Sequence, residues 1–426
     1  MNQPAQFQRD FQHLYLGISC LFFLSLLYSI FMLSVSMFMM SILALCDISI
    51  RPLRIQLRPG FWNKCQEWIN KPTWWIISVP FLVVLFGGLY SQDSEFWLSR
   101  LRLKVPFLLL PLAWYAMPSI TRETYFKMYC LLAGLLFLSS LEVMWDIITN
   151  YEQILFRLQR GHVIDTPGNH IRFSLLIAIA CISSFILYKR RFYWLDSKER
   201  SIYLFLSIYF FAFAHILAVR SGLVALYLSI LIFLILSFLV HRRWQIVLFL
   251  SMLAATPFLA YQSVPSFKNK VQYMIEDVSR YRLQKWNAYS DSERLLSLHA
   301  GLEIASNHLL FGIGPGDLRQ AMKEYFETNY DKNTYILPHN QWISILAASG
   351  LVGLLLFIVS FFYPILHMGH YREPFFLAIN AIIFFSLFAE NTFESSMGVA
   401  IYIFLLLSGL KYLQSPTAIE NVEPVL

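Results

Sequence analysis

Apolar positions along this chain rarely alternate with polar ones. They come in continuous runs of about twenty residues separated by short charged breaks. A helix rising ~1.5 Å per residue needs about 20 such residues to cross a hydrocarbon core of ~30 Å. Reading the runs between breaks predicts twelve membrane spans, near residues 14–29, 32–48, 73–90, 105–118, 126–147, 171–187, 201–219, 222–240, 244–261, 341–365, 374–390 and 397–413. The first two share one apolar run with no clear turn. The fourth begins with Pro106 and Pro111 and reads as tilted or broken. The pattern argues against a β-barrel, whose strands alternate over about ten residues.

Composition agrees with an all-α polytopic membrane protein. Hydrophobic residues make up 57% of the 426-residue chain and charged ones only 14%, against about 25% charge in a soluble domain. Met1 to Asp10 is polar and no small-residue cleavage site follows, so no cleavable signal is expected. The five cysteines are scattered without a CxxC pair and read as apolar filler.

Twelve spans put both termini on one side, and the cation bias chooses which. With the N-terminus inside, inner segments hold 17 of the 33 cations and 9 of the 26 acids, so they carry the whole positive excess. The N-terminus is therefore expected to be cytoplasmic, and the charge calls for no nucleic-acid partner. The chain then divides into nine spans over 1–261, an outer segment over 262–340, three spans over 341–413 and a cytoplasmic tail over 414–426. The outer segment carries nine cations and nine acids, and a connection this long is usually functional. Helical patterns near 268–282 and 292–307 predict helices lying over the membrane.

Chemistry-bearing residues gather on that outer face. Arg220 breaks the apolar run Ser201 to Val240 and is followed by Ser221 and Gly222. It is either a turn arginine reaching the headgroups or half of an anion site, with the free N–H groups of the next helix beside the guanidinium. Asn169-His170-Ile171-Arg172 opens the sixth span and is either an interfacial cap or a second clamp on a pyrophosphate. Pro338-His339-Asn340 closes the outer segment, with Asn340 a good N-cap. His339 is either structural or a general base, a task a neutral imidazole suits. Ser349, Gly350 and Gly353 form a small-residue face for close helix approach. The run Gly312-Ile313-Gly314-Pro315-Gly316 lacks a following GK[ST] and reads as a turn or a site lining. Glu390 and Glu394 pair with an arginine or face water. Without HExxH, a suitable DxD or a His/Cys cluster, no metal and no cofactor are expected.

Arg220-Ser221-Gly222 with Leu226, Ser292-Glu293-Arg294, the glycine run, and His339-Asn340 followed by Gly350 and Gly353 together resemble the O-antigen ligase and polymerase superfamily. The resemblance covers roughly Asn169 to Gly398, while the first four spans carry little that is distinctive. It implies a GT-C membrane glycosyltransferase in the bacterial inner membrane, using an undecaprenyl-diphosphate-linked glycan as donor. A ligase transfers that glycan to the lipid A–core oligosaccharide of lipopolysaccharide, with inversion and without metal or nucleotide. It also implies that Arg220 and Arg172 hold the diphosphate, and that His339 acts on the acceptor hydroxyl. His170, Arg294, Asn340 and Glu390 would complete the substrate-binding set, and the long segment would cover the site from the periplasm. Arg-Ser-Gly stands here where many relatives have Arg-Gly-Gly.

A polymerase or a protein O-oligosaccharyltransferase would share this donor chemistry. The single long outer segment favours a ligase. A transporter would place its polar residues near the midplane, whereas here they lie at one rim, with Glu142 the main exception.

Overall fold

The structure, a computed structural model, describes residues 3–50, 53–241, 245–282, 290–330 and 335–414. Helices α1 (Gln3–Tyr28) and α2 (Ile30–Leu45) lead into an antiparallel hairpin of β1 (Cys46–Ile50) and β2 (Leu53–Leu57). Then come α3 (Phe61–Ile69), α4 (Pro72–Gly87), α5 (Ser94–Ala116), α6 (Arg122–Thr149), α7 (Tyr151–Gln159) and α8 (His170–Lys189). These are followed by α9 (Glu199–Leu217), α10 (Arg220–His241), α11 (Gln245–Ser263), α12 (Pro265–Arg282), α13 (Ser290–Asn307) and α14 (Leu318–Tyr330). The chain finishes with α15 (Gln341–Leu366), α16 (Pro374–Ala389) and α17 (Ser396–Leu413).

Every apolar run read from the sequence lies mainly on a helix, but twelve full spans is a larger number than the structure gives. Among the described residues eight helices are long and apolar enough to cross a membrane, namely α1, α6, α8, α9, α10, α11, α15 and α17. The bent pair of α3 and α4, turned by 88°, makes a ninth if counted as one span. The shortfall has local causes. Helices α2 and α16 have 16 residues each, which at ~1.5 Å per residue is about 24 Å. Helix α5 starts at Ser94, well before the predicted 105, because Asp93 caps it and its charged first half stays helical. Pro106 and Pro111 lie inside α5 without ending it.

The core is a ring of helices around α8, which touches α6, α9, α10 and α16 and buries nearly every side chain from Arg172 to Leu187. Aromatic pairs tie α17 and α16 to their neighbours, with Phe404 stacked on Phe22 at 4.0 Å and Phe375 on Tyr129 at 4.2 Å.

The expected helices near 268–282 and 292–307 are α12 and α13, and α14 is a third. Leu296, Ala300, Ile304, Leu318, Met322 and Phe326 form a separate small core that closes on Ala347 of α15. Asp277 of α12 accepts hydrogen bonds from the Ser292 backbone N–H at 3.2 Å and hydroxyl at 2.5 Å, fixing the start of α13.

Helix α15 is broken at Gly350 (φ 65°) inside its apolar run. An unbroken helix would join Leu351 N–H to the Ala347 carbonyl and Val352 N–H to that of Ala348. Instead those amides donate to Leu309 and Leu310 at 2.8 and 3.2 Å, and the freed carbonyls accept from Ile313 and Gly314 at 3.0 Å each. The glycine run thus completes the helix ladder. Gly312 (φ 73°) and Gly350 permit the approach, since a Cβ on Gly350 would meet the Leu310 carbonyl at 2.3 Å. Gly350 therefore serves contact with a loop, where a helix neighbour was expected. The same loop is clamped to the α4–α5 turn: Asp317 accepts from the N–H groups of Gln92 and Asp93, and Arg319 pairs with Asp93 at 2.7 Å.

Candidate functional site

Two side-chain caps bring the ends of distant helices together. Asn340 Oδ1 accepts from Trp342 and Ile343 N–H at 2.9 and 3.1 Å, starting α15 as its sequence predicts. Its Nδ2 donates to the Phe388 carbonyl at 3.1 Å, fastening the start of α15 to the end of α16. Asn340 thus holds two helix ends together through its side chain. The preceding residue, His339, has its N–H on Ser297 Oγ of α13 at 3.2 Å.

Glu390, one residue beyond α16, lies where these three elements meet. Its Oε1 pairs with Arg294 Nη2 at 2.5 Å and its Oε2 with His339 Nδ1 at 3.3 Å. The carboxylate is only 4% exposed. Burial pushes its pKa up, but His339, Arg294 and Arg172 outweigh burial and hold it below the ordinary glutamate range. A buried carboxylate is tolerable only with such partners. In the tautomer that donates Nδ1–H to this carboxylate, Nε2 is free to accept a hydrogen bond.

Asn169 caps α8 through Oδ1 to the N–H groups of Ile171 and Arg172. The Arg172 side chain is buried, with Nε on Ser395 Oγ at 3.3 Å and Nη1 on Thr392 Oγ1 at 3.4 Å. It therefore braces the α16–α17 connection and does not reach outward along the interface. His170 is half-buried, with Lys270, Glu390, Arg294 and Arg172 as its charged neighbours. Arg220 is the half-buried first residue of α10, after a left-handed turn at Ala218 (φ 51°). A Cβ on Gly222 would strike Ser174 Oγ at 2.4 Å, so the start of α10 lies against the start of α8. The structure thus joins His339, Glu390, Arg294, Arg172 and His170 in one cluster, and sets the Arg220 turn beside the helix that carries two of them.

A second charged group was not legible as a group. Glu394 accepts from Lys104 Nζ at 2.7 Å, Arg100 Nη1 at 3.4 Å and Gln341 Nε2 at 3.3 Å, while Lys104 also donates to the Phe393 carbonyl. Burial raises the Glu394 carboxyl, but Lys104 and Arg100 bring it below its usual value. The group ends an otherwise apolar groove between Pro80, Val83 and Val84 of α4 and Ile345, Ala348 and Phe357 of α15. The signal available was spacing: Arg100 and Lys104 lie one turn apart on α5, and Glu390 and Glu394 share one connection. Among the described residues no three His, Cys, Asp or Glu side chains converge as a metal site.

None of the curated proteins matches the chain. Residues 204–358 match the family model described as O-antigen ligase. That stretch holds Arg220, Arg294, His339, Asn340 and the Gly350 break, while Arg172, Glu390 and the Lys104–Glu394 pair lie outside it. The match supports a relationship to the O-antigen ligase superfamily through residues 204–358.

Proposed function

We propose that this chain is an inner-membrane glycosyltransferase of ligase type, moving a glycan from undecaprenyl diphosphate to the lipid A–core oligosaccharide at the periplasmic face. The observation that carries this reading is the His339–Glu390–Arg294 contact at the end of the bundle where Arg220 and Arg172 also lie. In the reaction, an acceptor hydroxyl oxygen attacks the anomeric carbon and its proton passes to His339 Nε2. The anomeric C–O bond breaks, the diphosphate leaves with the electron pair, and configuration inverts. Arg220 would hold the developing charge on the diphosphate, an electrostatic role that dispenses with a divalent metal. Glu390 fixes the imidazole so that Nε2 faces the acceptor, and so acts as a positioning residue. The apolar groove ending at Arg100 and Lys104 suits an amphiphile with an isoprenoid or acyl chain and an anionic head.

The test is transfer by purified protein from undecaprenyl-diphosphate-linked oligosaccharide to lipid A–core in the presence of EDTA, with His339→Ala and Arg220→Ala alongside. Capped lipid A–core from wild type alone supports the reading. Growth of the glycan on its own carrier would make the chain a polymerase. Lipid movement across vesicles with no transfer would make it a transporter.

A further inference from the structure

The hairpin and α3 lie at the end of the bundle away from the site, and nothing in the proposed reaction uses them. Helix α5 runs from Arg100 and Lys104 at Glu394 to Ala116, and Arg58, which follows β2, donates from Nη1 to the Ala116 carbonyl at 3.4 Å. The hairpin is firmly mounted there. Asp10 Oδ2 accepts from Ser49 Oγ at 3.1 Å and Ile50 N–H at 3.0 Å. Arg58 Nη2 donates to the carbonyls of Leu43 and Cys46 at 2.7 and 3.1 Å and pairs with Asp47 at 3.1 Å.

This rigid mount carries apolar side chains outward. Leu53, Ile55 and Leu57 share one face of β2 and are 75%, 65% and 80% exposed, with Arg54 and Gln56 on the other face. Helix α3 turns 88° from α4, so it lies across the direction of that span. Phe61 and Trp68 lean on the core, while Trp62 is 77% exposed and Ile69 67%. Exposed Arg54, Lys64 and Lys71 flank these groups, and Lys64 pairs with Glu67 at 2.7 Å on the exposed surface. Among the described residues β2 pairs with β1 alone, so its other edge carries no strand partner there. Such an edge is not tolerated in hydrocarbon, but is at headgroup depth, where water remains. An in-plane amphipathic helix, a tryptophan and flanking cations are the features of a surface resting in the interfacial layer.

We infer that the β1–β2 hairpin and α3 form one interfacial plate that binds anionic phospholipid headgroups in the leaflet opposite the site. Apolar side chains enter the acyl boundary and Arg54, Lys64 and Lys71 gather the phosphates. Attraction of about fivefold local enrichment per cation is the expected scale.

The test uses full-length protein in proteoliposomes containing dibrominated phosphatidylglycerol or phosphatidylcholine. The Trp62 emission is isolated by subtracting Trp62→Phe. We expect bromines placed high on the chain to quench it more than bromines placed deep, and brominated phosphatidylglycerol to quench it at least about twofold more than phosphatidylcholine at equal fraction. Arg54→Gln/Lys64→Gln/Lys71→Gln, three exposed changes outside the core, should abolish the difference between lipids while keeping the depth profile. Quenching by aqueous iodide but by neither lipid overturns the proposal and points to water or a protein partner. Equal quenching by both lipids in wild type also overturns it, by removing the anionic preference. Neither result depends on glycan transfer.

Discussion

His339 Nδ1 and Glu390 Oε2 meet at 3.3 Å across 51 positions of sequence. The contact joins the residue before the N-cap of α15 to the residue after α16, so the geometry of an imidazole is set by two helix ends. Replacing Glu390 with Gln removes the negative charge that holds both His339 and Arg294. Transfer should fall at least about tenfold, since a general base misoriented or in the wrong tautomer loses much of its contribution. Glu390→Asp should recover part of the rate. Selective ¹⁵N-histidine spectra of wild type and Glu390→Gln would check the cause directly: an unchanged His339 tautomer would remove Glu390 from the role assigned to it.

Lys104 and Glu394 form a buried pair of a different kind, side chains 5% and 14% exposed, with Arg100 as a third member. Removing one charge leaves the other in a poor medium. Lys104→Met should lower stability by about 3 kcal/mol. The double change Lys104→Met/Glu394→Gln should cost less than the sum of the two single changes. Thermal unfolding of the four proteins in nanodiscs gives the cycle.

The same pair predicts a pH dependence. The Glu394 carboxyl titrates below its ordinary 4.5 in the folded protein because Lys104 and Arg100 outweigh its burial. A depressed folded value means that the contribution is fully present above 4.5 and is lost as pH falls through the folded value. Wild-type unfolding temperature should therefore drop between about pH 5 and about pH 3 more steeply than that of Glu394→Gln. Parallel curves for the two proteins would show that the pair contributes nothing to this loss.

Gly350→Ala should be among the most damaging small changes. The residue has φ 65°, and the new methyl would sit 2.3 Å from the Leu310 carbonyl, so a loss of about 2–4 kcal/mol is expected. Gly134→Ala, where no atom lies within 4 Å, is the matched control and should be neutral. Comparable losses in both variants would refute the steric account.

Much of the helix placement was written in the apolar runs, because continuous hydrophobicity over a helical length leaves few alternatives. The misses occurred where a local pattern could not see a distant partner. The charged first half of α5 looked like a loop because Arg100 and Lys104 break hydropathy, yet both are satisfied by Glu394, some 290 positions away. The start of β1, Cys46 to Ile48, was read into the second apolar run, since a five-residue strand has too short a period to stand out beside α2. The break at Gly350 was hidden because its flanks are as apolar as any helix interior. At the site, residue types and caps were legible in His339, Asn340, Asn169 and Arg220. Pairing of Glu390 with an arginine was one of two readings open, but that the arginine is Arg294 and that His339 shares the carboxylate were not legible, because helix packing alone creates those contacts.

The exchange of rungs between α15 and the 309–314 loop has a consequence for how substrates travel. Four backbone hydrogen bonds hold that loop inside the ladder of an apolar helix, so lifting it would break all four together. The loop and the first half of α15 should resist deuterium exchange as one slow block. A roof built this way does not open for each turnover. For the reaction proposed above, the expected route for lipid-borne reactants is then sideways from the bilayer, between helices.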